Sequence, residues 1–221
     1  MRVMLLAHES TAGNDTIIGF DGNDTINAGA DYDAIDGGAG HDTITGGRSN
    51  DVINGGEGSD SYVYARCDGN DTITEGNWAG TSDTLVFSDI NPKDVSASFS
   101  GADLLIHIAE TTAGAGDAGS ILIRGTLGTP YDQGVESINF ADGTKWNAAQ
   151  IRALAIASAQ TGGNDTITGF GSADTYAGGR GNYVINGGDG NDSLCPRRWR
   201  RYHHRRQLGG ASGTLGGLPI Q

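Results

Sequence analysis

Large apolar residues recur at a fixed interval along the first part of the chain. Ile17, Ile26, Ile35, Ile44, Ile53 and Tyr62 are each nine residues apart. Each lies two residues after an aspartate: Asp15, Asp24, Asp33, Asp42, Asp51 and Asp60. Around the apolar position small and polar residues alternate, as in Asp42-Thr43-Ile44-Thr45, which predicts a very short strand. Between strands stand runs such as Gly37-Gly38-Ala39-Gly40. Glycine tolerates positive φ, so these runs predict tight turns. Two nine-residue units, strand–turn–strand–turn, make one coil of 18 residues. One inward side chain per strand then stacks on its equivalent in the next coil.

This arrangement sorts the aspartates onto two edges. Asp15, Asp33 and Asp51 share one; Asp24, Asp42 and Asp60 share the other. Neighbouring strands lie about 4.8 Å apart. Carboxylates that close repel unless a cation sits between them. Carboxylate and turn-carbonyl oxygens are hard ligands and select calcium, or less well magnesium. A Gly/Asp-rich linker is the alternative reading. Six aspartates locked in phase with six apolar residues argue against it.

Composition sharpens the picture. Glycine accounts for 38 of 221 residues and hydrophobic residues for 36%. Proline numbers only 4, which excludes collagen and proline-rich linkers. The net charge is −13, which disfavours nucleic acid as a partner. No apolar run approaches the roughly 18 residues of a transmembrane segment. Two cysteines, Cys67 and Cys195, cannot build a disulfide framework of the small secreted kind.

The unit resembles the GGxGxDxUx nonapeptide of RTX (haemolysin-type calcium-binding) proteins. That resemblance implies an all-β fold, a parallel β-roll, over residues 10–76, with a second, shorter repeat block at 160–194. It also implies several bound Ca2+ ions, each between turns n and n+2. They would be held by the sixth-position aspartate and turn carbonyls. Carried over, the pairs are Asp15/Asp33, Asp33/Asp51, Asp24/Asp42 and Asp42/Asp60. Asp71, which heads a final unit eleven residues after Asp60, joins the ligand set. In the unit 28–36 Asp31 stands where a turn glycine belongs, which strains that turn or adds a ligand.

Between residues 77 and 159 the period stops. Strand-like runs replace it at Thr84–Phe87, Val95–Ser100, Asp103–Ile108, Ser120–Arg124 and Ser137–Phe140. Ser100-Gly101-Ala102 and Ala141-Asp142-Gly143 read as turns. Asn147 followed by Gln150 forms a capping-box pattern. Ile151, Leu154, Ala155 and Ser158 share a helical face, so one short helix is predicted over 147–159. The order of these runs is similar to the haemolysin-type calcium-binding-related domain, which implies a β-rich unit packed beside the roll.

The second block, 160–194, copies the first with one coil missing. Asp165, Asp174 and Asp192 are its candidate ligands. Tyr183 stands where the first block has Asp51, so only Asp174/Asp192 makes a complete pair and one good site is expected. Residues 1–194 hold 27 acids and 8 bases, a charge of −19, whereas 195–208 carry six arginines. Suitable codons for Trp199–His204, read one base later, encode a Gly-Asp-Asp-Thr-Ile-like string. The tail 195–221 is therefore read as frameshifted repeat rather than as a basic binding patch.

No HExxH, GxSxG or Walker pattern occurs, so no catalytic residue is assigned and the chain is expected not to be an enzyme by itself. His41 falls at a variable turn position and His107 in a strand; both read as solvated or structural. His8 lies in an unpatterned N-terminal segment, and His203 and His204 lie in the tail. Residues 1–9 are too short for a secretory signal peptide. The resemblance implies an extracellular destination through a type I secretion machinery. The reading is a calcium-binding, calcium-dependent folding module of a bacterial secreted protein. A fragment of a secreted RTX enzyme, or of a calcium-dependent adhesin acting on a cell surface or membrane, is the alternative.

Overall fold

The fold was analysed in a computed structural model. The structure describes residues 7–8, 11–75, 82–100, 103–125, 134–161, 163–169, 173–177, 182–188 and 190–195. The turn at 101–102, the basic stretch from 196 onward and most of the N-terminal segment 1–9 lie outside them.

The strands of the first block are β1 (Ala7–His8), β2 (Thr11–Ala12), β3 (Thr16–Ile18), β4 (Thr25–Ala30), β5 (Ala34–Asp36), β6 (Thr43–Arg48), β7 (Val52–Asn54), β8 (Ser61–Tyr64) and β9 (Asn70–Thr74). The middle segment supplies β10 (Thr84–Phe87), β11 (Val95–Ser100), β12 (Asp103–Ile108), β13 (Gly119–Ile123), β14 (Ser137–Asn139) and β15 (Lys145–Asn147), followed by α1 (Ala148–Ala159). The second block supplies β16 (Asp165–Thr168), β17 (Thr175–Ala177), β18 (Tyr183–Asn186) and β19 (Ser193–Cys195).

Alternate strands build two parallel sheets, as an 18-residue coil requires. One sheet runs β1-β4-β6-β8-β10-β14-β15; the other runs β11-β12-β13-β9-β7-β5-β3. Register is set by the apolar position. Ile26 faces Ile44, then Tyr62, Leu85 and Ile138 in the first sheet. Ile17, Ile35, Ile53, Ile73 and Ile123 form the corresponding column in the second. All ten are buried, because one face of each strand points inward and the other outward. The fold is thus the expected parallel β-roll with one short helix.

The strands of 77–159 continue these sheets. β10 stacks in parallel on β8, and β13 stacks in parallel on β9. Antiparallel β12 and β11 then extend the second sheet, and antiparallel β15 closes the first. One buried cluster therefore runs from Ile17 through Tyr62 and Leu85 to Ile151 and Ala155. Aromatic rings fill its wider end: Phe87 lies 5.4 Å from Phe140, which meets Trp146 edge-on at 4.5 Å.

Helix α1 starts at the predicted capping box. Asn147 Oδ1 accepts from the Gln150 N–H, and Gln150 Oε1 accepts from the Asn147 N–H, both at 3.0 Å. Ile151 and Ala155 enter the main core, while Ile156 turns to a second cluster with Ile167 and Tyr176. The helix thus serves both blocks, so its apolar residues are not confined to one stripe. In the second block β16 pairs with β18 and β17 with β19, both in parallel.

Ile44 is fully buried between Ile26 and Tyr62, whereas Val52 on the outward face is 56% exposed. Ile44→Ala should therefore lower stability by about 2–5 kcal/mol, and Val52→Ala by no more than about 0.5 kcal/mol. Urea unfolding of both variants in calcium measures the difference.

Candidate metal centre

Each turn places its aspartate by two backbone devices. The residues at the second and fourth positions of a unit take positive φ, as Gly38 (99°) and Gly40 (142°) do. Non-glycine residues hold the same geometry where they replace glycine: Phe20 (70°), Asp31 (76°) and Ser49 (91°). Asp31 therefore does adopt the strained turn conformation, which Asp tolerates better than most residues. The first-position glycine is required for a different reason. A Cβ on Gly37 would meet Asp42 Oδ2 at 2.6 Å and the Gly55 carbonyl oxygen at 2.5 Å. Gly19 and Gly55 are crowded by Asp24 and Asp60 in the same way, and Gly46 by Asp51. These glycines leave a small oxygen-lined space in front of Asp24, Asp42, Asp51 and Asp60; in the unit of Asp33 the first position is the fully buried Ala28.

The aspartates form two ladders. Asp33 Oδ1 accepts from the Asp15 N–H at 2.8 Å, Asp51 Oδ1 from Asp33 at 2.9 Å, and Asp71 Oδ1 from Asp51 at 2.9 Å. On the other edge Asp42 Oδ1 accepts from Asp24 at 2.8 Å and Asp60 Oδ1 from Asp42 at 2.8 Å. The fifth position of the unit answers in the opposite direction. Asn23 Oδ1 accepts from the His41 N–H, and His41 Nδ1 accepts from the Ser59 N–H, both at 2.9 Å. Neighbouring coils are thus tied both ways, and His41 has a structural role. His107 also has a local partner: its Nε2 lies 3.0 Å from Ser98 Oγ across the β11–β12 pair.

The second carboxylate oxygen is the unusual feature. Oδ2 of Asp33, Asp42, Asp51 and Asp60 is buried and has no hydrogen-bond partner among the described residues. A buried ionised oxygen without a partner is strongly disfavoured, so it must hold a proton or a cation. Burial, opposed only partly by the backbone hydrogen bonds and reinforced by neighbouring carboxylates, pushes Asp42 and Asp51 up to about 6 and Asp71 to about 8. Asp33 and Asp60 are raised by the same causes. Orphaned oxygens in glycine-walled cradles beside turn carbonyls suit a hard divalent cation.

The spacing of nine hid part of the ladder. Asp83 Oδ1 accepts from the Asp60 N–H at 2.8 Å, although 23 residues separate them. Glu136 Oε2 then accepts from the Asp83 N–H at 2.6 Å, across 53 residues. The Asp-x-apolar pattern of Asp83-Thr84-Leu85 was the available signal for Asp83. Asp68, whose Oδ2 accepts from the Ala65 N–H at 2.6 Å, shapes the longer turn before Asp71 and was likewise unassigned.

The second block is sparser. Asp192 Oδ1 accepts from the Asp174 N–H at 3.2 Å, which repeats the ladder bond once. Asp165 lies opposite Tyr183 in register. Its carboxylate accepts from the Thr161 N–H and hydroxyl, at 2.9 and 2.5 Å.

A parallel β-roll whose turns carry stacked, half-satisfied aspartates defines a class of metal-binding repeat. Family comparisons agree. Four copies of the RTX calcium-binding nonapeptide repeat match residues 9–35, 33–62, 161–185 and 184–195. The haemolysin-type calcium binding protein related domain matches residues 103–150. The chain therefore carries RTX calcium-binding repeats, joined to a haemolysin-type calcium-binding-related domain. The comparison with curated proteins gave no match.

The raised carboxyls set a pH dependence. In metal-free protein the folded state retains protons that the unfolded chain releases above about 3.8. Their contribution to stability is full below that pH. It is lost as pH rises through about 6 for Asp42 and Asp51 and about 8 for Asp71. Calcium takes the ionised form and releases protons, so saturation should reverse the slope. Circular dichroism in chelator and thermal unfolding in calcium, from about pH 4 to about pH 8, test both signs: the metal-free β signal should fade as pH rises, and stability in calcium should grow.

Proposed function

We propose that this chain is a calcium-dependent folding module of a secreted RTX-type protein, and that it is not catalytic by itself. The observation that carries the reading is the row of buried, unpartnered Oδ2 atoms at Asp33, Asp42, Asp51 and Asp60. In this reading the ions lie between successive rungs: Asp15/Asp33, Asp33/Asp51, Asp51/Asp71, Asp24/Asp42 and Asp42/Asp60, with Asp174/Asp192 in the second block. Each ion brings two coils together by replacing the proton or the repulsion that their carboxylates would otherwise carry.

The energetics fit a switch between compartments. Extracellular calcium modules bind with Kd of about 10⁻⁴–10⁻³ M. With calcium ten times above Kd, each ion adds about 1.4 kcal/mol. Several ions together then reach the scale of a whole domain's stability, about 5–15 kcal/mol. At the sub-micromolar calcium of a cell interior that contribution vanishes. A chain that stays unfolded inside and folds outside suits a type I export route and an extracellular destination. Extracellular calcium would be its ligand there, and no nucleic acid is expected as a partner.

Circular dichroism during a calcium titration tests the reading. A β spectrum should grow with calcium and collapse in excess chelator; a fully formed β spectrum in chelator would sink it. Asp42→Asn keeps the oxygen that accepts the Asp24 N–H but removes the charge on an internal rung. It should shift the calcium midpoint upward several-fold.

A further inference from the structure

The first block ends at a group of oxygens that the repeat pattern does not specify. Ligand atoms of Asp60, Glu75 and Asp83 lie within 4.8 Å of one another. Asp60 and Asp83 are buried, at 1% and 3% exposure. Among the described residues Asp60 Oδ2 and Glu75 Oε1 have no hydrogen-bond partner. Tyr62 is also 1% exposed, and its hydroxyl lies beside the Glu75 carboxyl, to which it donates a hydrogen bond. These atoms converge. A Cβ on Gly55 would run into the Tyr62 hydroxyl, meet Asp60 Oδ2 at 2.5 Å and meet Glu75 Oε2 at 3.1 Å. Besides the hydrogen bond from Tyr62, the groups acting on Glu75 are the carboxylates of Asp83, Asp60 and Glu136.

The second block supplies an internal control. Tyr176 and Asp174 occupy the same places beside Gly169 as Tyr62 and Asp60 do beside Gly55. There the Tyr176 hydroxyl donates to Asp174 Oδ2 at 3.2 Å and to the Gly187 carbonyl at 3.1 Å. Gly187 begins the turn one coil on, since the Gly169 N–H donates to the Asn186 carbonyl just before it. The corresponding residue in the first block is Glu75, which follows Thr74, the acceptor of the Gly55 N–H. A carboxylate therefore enters where the repeat has a glycine. With glycine the tyrosine donates to the aspartate and the turn carbonyl; with glutamate it turns to the new carboxyl, and three carboxylates lie together.

From this convergence we propose that Asp60, Glu75 and Asp83, with the hydroxyl of Tyr62, bind a further divalent cation. The site closes one edge of the roll at its junction with β10. A hard cation, calcium in the first instance, matches an all-oxygen set that is rich in carboxylate. The Glu75 side chain adds a carboxylate where the repeat has only a glycine, so this site should be stronger than its neighbours. It also links the last repeat to the first strand of the middle segment. Calcium there would fasten β10 to β8 as well as coil to coil. The inference shares the calcium chemistry proposed for the repeats but rests on Glu75 and Asp83, which lie outside their pattern.

Calcium calorimetry on the full chain tests it, with circular dichroism in saturating calcium confirming that each variant folds. Glu75→Gln and Glu75→Gly should each bind one ion fewer than the parent, or bind that ion at least tenfold more weakly. Glu75→Gly copies the arrangement of the second block, so it carries the test if Glu75→Gln does not fold. Asp33→Asn, on the opposite edge, should lose affinity there and leave this ion in place. Unchanged ion count and affinity in both Glu75 variants, with a loss in Asp33→Asn, would overturn this site and leave the repeats' calcium binding standing. No calcium uptake by the parent chain would overturn both.

Discussion

The structure depends on the two-sided bonding of one carboxylate. In each internal turn Oδ1 is used by the fold, accepting the backbone N–H of the aspartate one coil earlier. Oδ2 is buried without a partner among the described residues, and at Asp42, Asp51 and Asp60 it faces a first-position glycine. The first bond sets the coil spacing and holds the carboxylates in line. That same alignment makes them repel and buries their charge. The fold therefore creates the electrostatic problem that a cation solves. Metal binding and folding are two descriptions of one equilibrium here.

The glycine content follows from the same constraint. Two positions per turn need positive φ, but side chains manage it at Phe20, Asp31 and Ser49. At Gly19, Gly37, Gly46 and Gly55 a Cβ would occupy the space in front of Oδ2, whereas Ala28 fits its methyl beside Asp33. Glycine is thus conformational at one place in the turn and spatial at another. The spatial role is the one tied to the ion. Where Glu75 replaces that glycine, its carboxylate joins the oxygen cluster beside the Tyr62 hydroxyl.

The roll also explains how the middle segment is supported. A roll ends on an exposed strand edge, a template for pairing with other chains. Here β10 and β13 take those edges in parallel, and the antiparallel strands β11, β12 and β15 follow outward. The ladder crosses the same junction through Asp83 and Glu136. Helix α1 then shares its apolar residues between the main core and the smaller second block.

Much of this was legible in the residues alone. The nine-residue phase predicted the strands, the inward columns of Ile17 and Ile26, the two edges and the pairing of Asp33 with Asp51. The capping box at Asn147 and Gln150 located the helix. Such features are local: a period, a cap or a turn residue acts within a few positions, so chain spacing and spatial spacing agree. Asp83, Glu136, Glu75 and the hydroxyl of Tyr62 were different. They meet only because insertions of different lengths are looped out while the strands stay in register, so that Ile53 still faces Ile73 and Tyr62 still faces Leu85. Sequence distance stops measuring separation once a loop intervenes. The sequence determined the repeating coil and the carboxylates on its edges; tertiary register alone decided which other oxygens stand beside them.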